Sequence, residues 1–148
     1  MICLLIPLTI GGLSGYSTSS AINDWYVTLN KPFFNPPNYL FAPVWTCLYA
    51  LMGISLFLVW KSPKGKLRNK AIVIFSVQII LNFFWSLLFF NLRNPGMALI
   101  EIVMLWTSIL LMVLFYRRIS KLAGYLQVPY LLWVTFASVL NTAIWYLN

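Results

Sequence analysis

Amide and aromatic side chains recur at helical spacing along two apolar stretches of the sequence. The first stretch carries four of them, Gln78, Asn82, Trp85 and Phe89. The second carries Tyr130, Trp133, Ala137 and Asn141. Steps of three and four residues place such side chains on one face of a helix. If the two faces converge, they form a pocket with flat apolar walls and a few polar groups, the usual composition of a small-molecule site.

The same amides have a simpler interpretation. Gln78, Asn82 and Asn141 would then only hydrogen-bond across neighbouring helices and hold them together. The residue pattern leaves both interpretations open.

Trp45 begins a third inward face, which Tyr49 and Met52 continue at helical spacing. Trp85 and Trp133 lie far from the basic loops, so anchoring of indoles at the membrane interface explains them poorly. We therefore expect indoles from three helices to point into the interior of the protein.

Residues for ordinary acid–base or metal catalysis are scarce. The chain has no histidine, so it lacks the usual proton shuttle near neutral pH and the commonest haem ligand. Asp24 and Glu101 are the only carboxylates. Glu101 lies in an apolar run, where an ionisable residue is a functional candidate unless it reaches the interface or pairs with a neighbouring helix. Cys3 and Cys47 have neither metal-ligand spacing nor a disulfide framework. We expect no metal site and no cofactor.

The elements that position these residues are membrane-spanning helices. Of the 148 residues, 61% are hydrophobic and 8% are charged, and a chain this short cannot bury so much apolar surface in a water-soluble core. A hydrocarbon layer of about 30 Å needs about 20 apolar residues per helix. We predict an all-α integral membrane protein, a single domain over 1–148 built as a five-transmembrane-helix bundle. Its predicted spans are 2–23, 39–60, 71–90, 97–116 and 125–147.

The first span is the least apolar and is rich in small residues. Gly11 and Gly15 have the four-residue spacing that lets helix backbones approach closely. We expect this helix to pack against its neighbours, and we expect it to be retained because no signal-peptide cleavage pattern follows it.

The basic residues predict the orientation. A net charge of +8 would fit nucleic-acid binding in a soluble protein, but here the basic residues separate apolar blocks, so we expect no nucleic-acid partner. Eight of them lie in two loops: Lys61, Lys64, Lys66, Arg68, Lys70, Arg117, Arg118 and Lys121. Positively charged loops stay in the cytoplasm. We predict a cytoplasmic N-terminus, an external C-terminus and location in a bacterial plasma membrane.

The connection 24–38 differs from a flexible hydrophilic linker. It contains three prolines and four aromatic residues, namely Trp25, Tyr26, Pro32, Phe33, Phe34, Pro36 and Pro37. Proline fixes φ and stiffens a loop. We predict a long structured loop between the first two helices, which forms a lid over the outer mouth of the bundle.

Four sequence blocks together resemble the TspO/translocator protein (peripheral benzodiazepine receptor-like) family. They are Trp25-Tyr26-x-x-Leu29-x-Lys31-Pro32-x-Phe34-x-Pro36-Pro37, Ala42-Pro43-Val44-Trp45-x-x-Leu48-Tyr49-x-x-Met52-Gly53, Leu81-Asn82-x-x-Trp85 with Phe89-Phe90, and Pro129-Tyr130-Leu131-x-Trp133-x-x-Phe136-Ala137-x-x-Leu140-Asn141. The blocks occur in the family's order and cover nearly the whole chain.

This resemblance implies a five-helix bundle, commonly dimeric, that binds porphyrins and benzodiazepine-type ligands near its outer end. Together with the faces described above, it implies a ligand-binding set of Trp25, Tyr26, Pro36, Pro37, Trp45, Asn82, Trp85, Trp133, Ala137 and Leu140. The expected partners are the lipid bilayer, a porphyrin or similar planar apolar ligand, and a second copy of the chain.

Three functions are consistent with this set. The first is binding of a tetrapyrrole for its sensing, transport or disposal. The second, known as a proposal for the family, is light- and oxygen-dependent degradation of porphyrin, with Trp25, Trp45 and Trp133 carrying the redox chemistry. The third is secondary transport of small apolar molecules, which would normally require paired charges within the membrane or repeated half-helices.

Overall fold

The computed structural model describes residues 2–24, 28–29 and 40–148, and helices are the only regular secondary structure in these parts. In chain order they are α1 (Ile2–Asp24), α2 (Phe41–Trp60), α3 (Lys66–Ser86), α4 (Pro95–Ile119) and α5 (Lys121–Leu147). A π-helical turn, Leu87–Asn91, extends α3.

Short turns set the antiparallel order of the last three helices. Asn94 caps α4, because its side chain accepts a hydrogen bond from the backbone of Met97 at 3.1 Å, and Pro95 occupies the first turn, where a missing N–H costs nothing. Ser120 alone separates α4 from α5. It is extended, which ends one helix, and its hydroxyl accepts a hydrogen bond from the backbone of Ala123 at 3.3 Å, which begins the next.

The helices form one closed bundle. α1 packs against α2, α2 against α5, α5 against α4, and α4 against α3, while α3 also contacts α1 and α2. The α2–α3 loop meets the end of α4, because Ser62, Lys66 and Ile119 line one cleft of about 290 Å³. We call this the inner end of the bundle, and the opposite end, where α2 and α4 begin, the outer end.

The outer surface of the bundle is apolar. Four segments in the described parts of the chain are long and apolar enough to cross a membrane: Pro43–Trp60, Lys66–Phe89, Pro95–Ile119 and Lys121–Leu147. α1 adds a shorter apolar stretch, Ile2–Tyr16. Large apolar side chains such as Phe84, Ile100 and Leu132 are exposed, which lipid tolerates and water does not. The chain is an integral membrane protein with a helical-bundle fold.

Helices α3, α4 and α5 are longer than the apolar runs that predicted them, whereas α2 begins two residues after its predicted start. α3 begins at Lys66 and α5 at Lys121, whereas the predicted spans begin at 71 and 125. Hydrophobicity marks only the part of a helix that crosses hydrocarbon, and the helix continues into the interfacial layer. The predicted lid, 24–38, lies outside the described residues except for 24 and 28–29, where Leu29 is half-buried and packs against the core.

Close approach of α1 and α2 depends on two glycines. A Cβ added at Gly53 would lie 2.7 Å from the Leu4 Cα atom, and one added at Gly11 would overlap the Tyr49 ring. A Cβ at Gly15 would meet no described atom within 4 Å. Of the two glycines in the spacing predicted from the sequence, Gly11 is therefore the one at which a larger residue would collide with α2.

Candidate functional site

Trp45 lies where α2 meets α5, among other aromatic rings. Its indole stacks on Tyr49 with ring centroids 5.7 Å apart. It meets Tyr130 edge-on at 6.3 Å and Trp133 edge-on at 6.4 Å, and Trp133 contacts Phe136 at 5.4 Å. Stacked and edge-on pairs at such separations are the favoured aromatic geometries. These five residues form the aromatic cluster.

The two kinds of ring in the cluster differ in exposure. Tyr49 and Tyr130 are buried, whereas Trp45 and Trp133 are only half-buried. Phe136 is also half-buried, so the flat surface that the cluster offers to another molecule consists of two indoles and one phenyl ring.

A buried hydrogen-bond network fixes the two phenols. The Tyr49 hydroxyl donates to Asn82 Oδ1 at 2.5 Å, and Asn82 Nδ2 donates to the Tyr130 hydroxyl at 2.8 Å. That hydroxyl in turn donates to Gln78 Oε1 at 2.8 Å. The network joins α2, α3 and α5 beside the cluster. Because these donors and acceptors find their partners within the protein, the network rigidifies the site.

Trp85 belongs to a second layer, one helical turn beyond Asn82. Its ring stacks on Phe89 at 5.4 Å, and its Nε1 donates to Asn141 Oδ1 at 3.1 Å. Asn141 Nδ2 donates to the Pro95 carbonyl at 2.8 Å. This layer ties α3 and α5 to the first turn of α4 at the outer end.

Ala137 and Leu140 of α5 lie between the two layers, and both are buried in the interior of the bundle. We call this part of α5 the side wall of the candidate site. Two contacts fix the register of α5 against α4: a Cβ at Gly96 would lie 3.1 Å from Trp145 Nε1, and one at Gly124 would lie 2.9 Å from Arg117 Cα. In this antiparallel register Glu101 is level with Leu140.

Glu101 is an unusual feature of this wall. Its side chain is 6% exposed, and neither carboxyl oxygen has a hydrogen-bond partner among the residues that the structure describes. Within the residues that the structure describes, Glu101 neither reaches the interface nor pairs with a neighbouring helix. Those same parts of the chain bring no three histidine, cysteine or acidic side chains together to hold a metal ion.

The family can be assigned from comparison with known proteins. A model described as the TspO/MBR family matches residues 3–147. The chain belongs to this family.

Its TspO/MBR relatives include archaeal, bacterial and animal proteins. The tryptophan-rich protein TspO of Archaeoglobus fulgidus is 42% identical over 145 residues, which cover 98% of this chain and 94% of that protein. The translocator protein of Sus scrofa is 34% identical over 95% of this chain and 85% of its own length. The tryptophan-rich sensory protein of Cereibacter sphaeroides is 32% identical over 80% of this chain and 73% of its own length. The resemblance read from the sequence blocks is confirmed.

The structure brings together several of the residues predicted for the TspO/MBR ligand site. Trp45, Asn82 and Trp133 meet at the aromatic cluster and its network, and Ala137 and Leu140 line the adjoining wall. Trp85 lies in the second layer. The predicted lid residues Trp25, Tyr26, Pro36 and Pro37 lie outside the described part of the chain.

The two interpretations of the amides can now be compared. Asn82 bonds to two phenols, Gln78 accepts from Tyr130, and Asn141 joins Trp85 to Pro95. All three amides therefore hold helices together, as the simpler interpretation expected. They also position the rings of Tyr49, Tyr130 and Trp85.

Sequence reasoning missed several buried polar residues, and two of them have large side chains. Tyr116 of α4 and Gln127 of α5 are fully buried near the inner end. The signal for Gln127 was present, since it lies three residues before Tyr130 and extends the same face of α5. Tyr116 gave no such signal, because it stands beside Arg117 and Arg118 and resembles an interfacial aromatic residue.

Proposed function

We propose that this chain binds a planar, largely apolar molecule such as a porphyrin against Trp45 and Trp133, and that binding serves the sensing, transport or disposal of that molecule. The observation that carries the proposal is the edge-on contact of these two half-buried indoles, from different helices, at 6.4 Å. A flat guest gains stacking energy from such rings without needing a charged partner.

The chemistry of the surroundings favours a planar apolar guest over a strongly polar one. The hydrogen-bonding groups of Asn82 and Tyr130 are already engaged with protein partners. A guest that relied on these groups would have to break buried hydrogen bonds within the protein. The free energy lost in this way exceeds the free energy gained from one new hydrogen bond to the guest. Recognition therefore rests on shape and stacking, and benzodiazepine-type ligands meet the same requirement.

The remaining predicted residues complete this proposed site. Ala137, Leu140 and Trp85 would form its side wall. The lid, with Trp25, Tyr26, Pro36 and Pro37, would cover its outer mouth. The packing of Leu29 against the core supports a lid that folds back onto the bundle. We also propose that the protein works as a homodimer, with the basic inner end in the cytoplasm. The names of two relatives, translocator protein and tryptophan-rich sensory protein, are in keeping with a transport or sensory role.

Porphyrin titration tests the proposal. Protoporphyrin IX is added to the purified protein in detergent, and binding is followed through the shift of the porphyrin Soret band. We expect Trp45→Leu/Trp133→Leu to weaken affinity about tenfold or more, since each stacked ring contributes about 0.5 to 1.5 kcal/mol beyond its buried area.

A matched control removes two other exposed aromatic rings. Trp60 and Tyr146 are 55% and 83% exposed, so Trp60→Leu/Tyr146→Leu should bind porphyrin like the parent protein. Circular dichroism and size-exclusion chromatography establish that both double variants are folded. Equal affinities for the two double variants would exclude the aromatic cluster as the site.

Contact between Trp45 and Trp133 also supports a second function, light- and oxygen-dependent degradation of the bound porphyrin. Indoles this close can pass an electron between them, and Trp25 is the third indole of this proposed redox set. The test compares bleaching of porphyrin under illumination with the parent protein, with Trp45→Phe/Trp133→Phe and with free porphyrin in detergent. Equal rates in all three would leave binding as the function.

A further inference from the structure

Two polar side chains at the inner end of the bundle have no partners for their polar atoms. Tyr116 and Gln127 are 0% exposed. The Tyr116 hydroxyl and both amide atoms of Gln127 lack a hydrogen bond to any described residue. Lipid supplies no hydrogen bonds. Burying a polar group in a membrane protein without a hydrogen-bond partner therefore lowers the stability of the folded protein substantially.

The register of α4 and α5 places these two side chains at nearly the same level along the bundle. The contact of Gly124 with Arg117 places Tyr116 and Gln127 within one helical turn of each other in height. Side chains lean toward the N-terminus of their own helix, so in an antiparallel pair Tyr116 leans toward the outer end and Gln127 toward the inner end. Because Gln127 is the further out of the two, the lean brings their polar ends to a common level.

Two further helices close the space around them. Cys3 of α1 is buried, and its carbonyl oxygen would lie 2.9 Å from a Cβ added at Gly53 of α2. Ser55 of α2 is buried and donates a hydrogen bond to the Ala123 carbonyl of α5 at 2.7 Å. Buried polar groups from α1, α2, α4 and α5 therefore lie in the inner half of the bundle, apart from the hydrogen-bond network beside the aromatic cluster.

We propose that Tyr116 and Gln127 form a second binding site, separate from the aromatic cluster, for a small neutral guest that both donates and accepts hydrogen bonds, namely water. A phenol and an amide are each donor and acceptor, and buried water typically makes about three such bonds. Both groups are neutral, and the nearby Arg117 is exposed, so an ion has no buried counter-charge here. Water bound at this site would extend into the inner half of the bundle as far as Gln127, which lies one helical turn before Tyr130 in α5.

A double-mutant cycle tests whether the two side chains share a guest. If they do, Tyr116→Phe and Gln127→Leu each lower the apparent Tm. The decrease in the double variant is then smaller than the sum of the two single decreases, because the second substitution removes a group that has already lost its partner. If the groups are dry and independent, each apolar replacement raises the Tm or leaves it unchanged. That outcome, or additive losses, would overturn the proposal.

Cys3 provides an independent probe of hydration. In a Cys47→Ser background, a small water-soluble methanethiosulfonate reagent should modify Cys3, and Tyr116→Phe/Gln127→Leu should slow the reaction about tenfold or more. Thr107→Val is the control, since the Thr107 hydroxyl bonds within its own helix to Val103 at 2.9 Å. The site is dry if the methanethiosulfonate reagent does not modify Cys3 in the Cys47→Ser background although a membrane-permeant maleimide does. That result would overturn the proposal. Neither test depends on porphyrin binding, so the two proposals stand or fall separately.

Discussion

The Tyr49 hydroxyl of α2 donates a hydrogen bond of 2.5 Å to Asn82 Oδ1 of α3, while the nitrogen of the same amide holds Tyr130 of α5 at 2.8 Å. One side chain thus links three helices next to Trp45. The positions of both phenols, and through them the faces of the aromatic cluster, depend on this amide.

We expect Asn82→Leu to destabilise the bundle by about 1 to 3 kcal/mol, since two buried phenols lose a partner at once. Tyr49→Phe should cost less, about 0.6 to 1 kcal/mol, near the usual value for one hydrogen bond within a membrane. Thermal unfolding followed by intrinsic fluorescence measures both. Ser76→Ala is the control, because Ser76 is exposed and bonds only to Ile72 of its own helix. Equal stability of Asn82→Leu and Ser76→Ala would contradict the assigned role.

The inward faces of the helices could be predicted from the sequence. Gln78, Asn82, Trp85 and Phe89 are all buried, as their spacing predicted. Periodicity identifies a face because 3.6 residues complete each turn, whatever the neighbouring helix is.

The partners on those faces could not be predicted in the same way. Whether Asn82 meets Tyr130 or Asn141 depends on how far one helix is shifted along the next. That shift is set by contacts such as Gly96 against Trp145, which no pattern within one helix encodes. The burial of Glu101 depends on the same register.

Gly53→Ala should separate α1 from α2. The added Cβ would lie 2.7 Å from the backbone of Leu4, and backbone cannot move aside as a flexible side chain can. Overpacking of this kind costs about 1 to 3 kcal/mol, so the apparent Tm should fall by several degrees. Gly12→Ala is the matched control, because its Cβ meets nothing within 4 Å and alanine favours helix. A Gly53→Ala variant as stable as Gly12→Ala would show that the two helices do not approach so closely.

Glu101→Leu should stabilise the protein. The carboxyl group is buried without a hydrogen-bond partner in the described residues, and removing such a group recovers about 1 to 3 kcal/mol. Glu101→Gln, which keeps a polar group of similar size, should change the Tm much less. Thermal unfolding of the three proteins in one detergent provides the comparison. A lower Tm for Glu101→Leu would contradict this prediction and would reveal a partner for the carboxyl group.

The orientation of the bundle can be tested by labelling from one side. The two basic loops lie at the same end, and Arg68 there stacks over the Trp60 ring at 4.6 Å while its Nε donates to the Trp60 carbonyl at 3.1 Å. A cation and an indole held together in this way suit the lipid headgroup layer, and loops with excess Lys and Arg remain in the cytoplasm. In a variant without Cys3 and Cys47, an impermeant maleimide added to intact cells should label Asn148→Cys and should label Lys64→Cys only after the membrane is opened. The reverse pattern would place the aromatic cluster's end of the bundle in the cytoplasm, and any guest would then have to enter from that side.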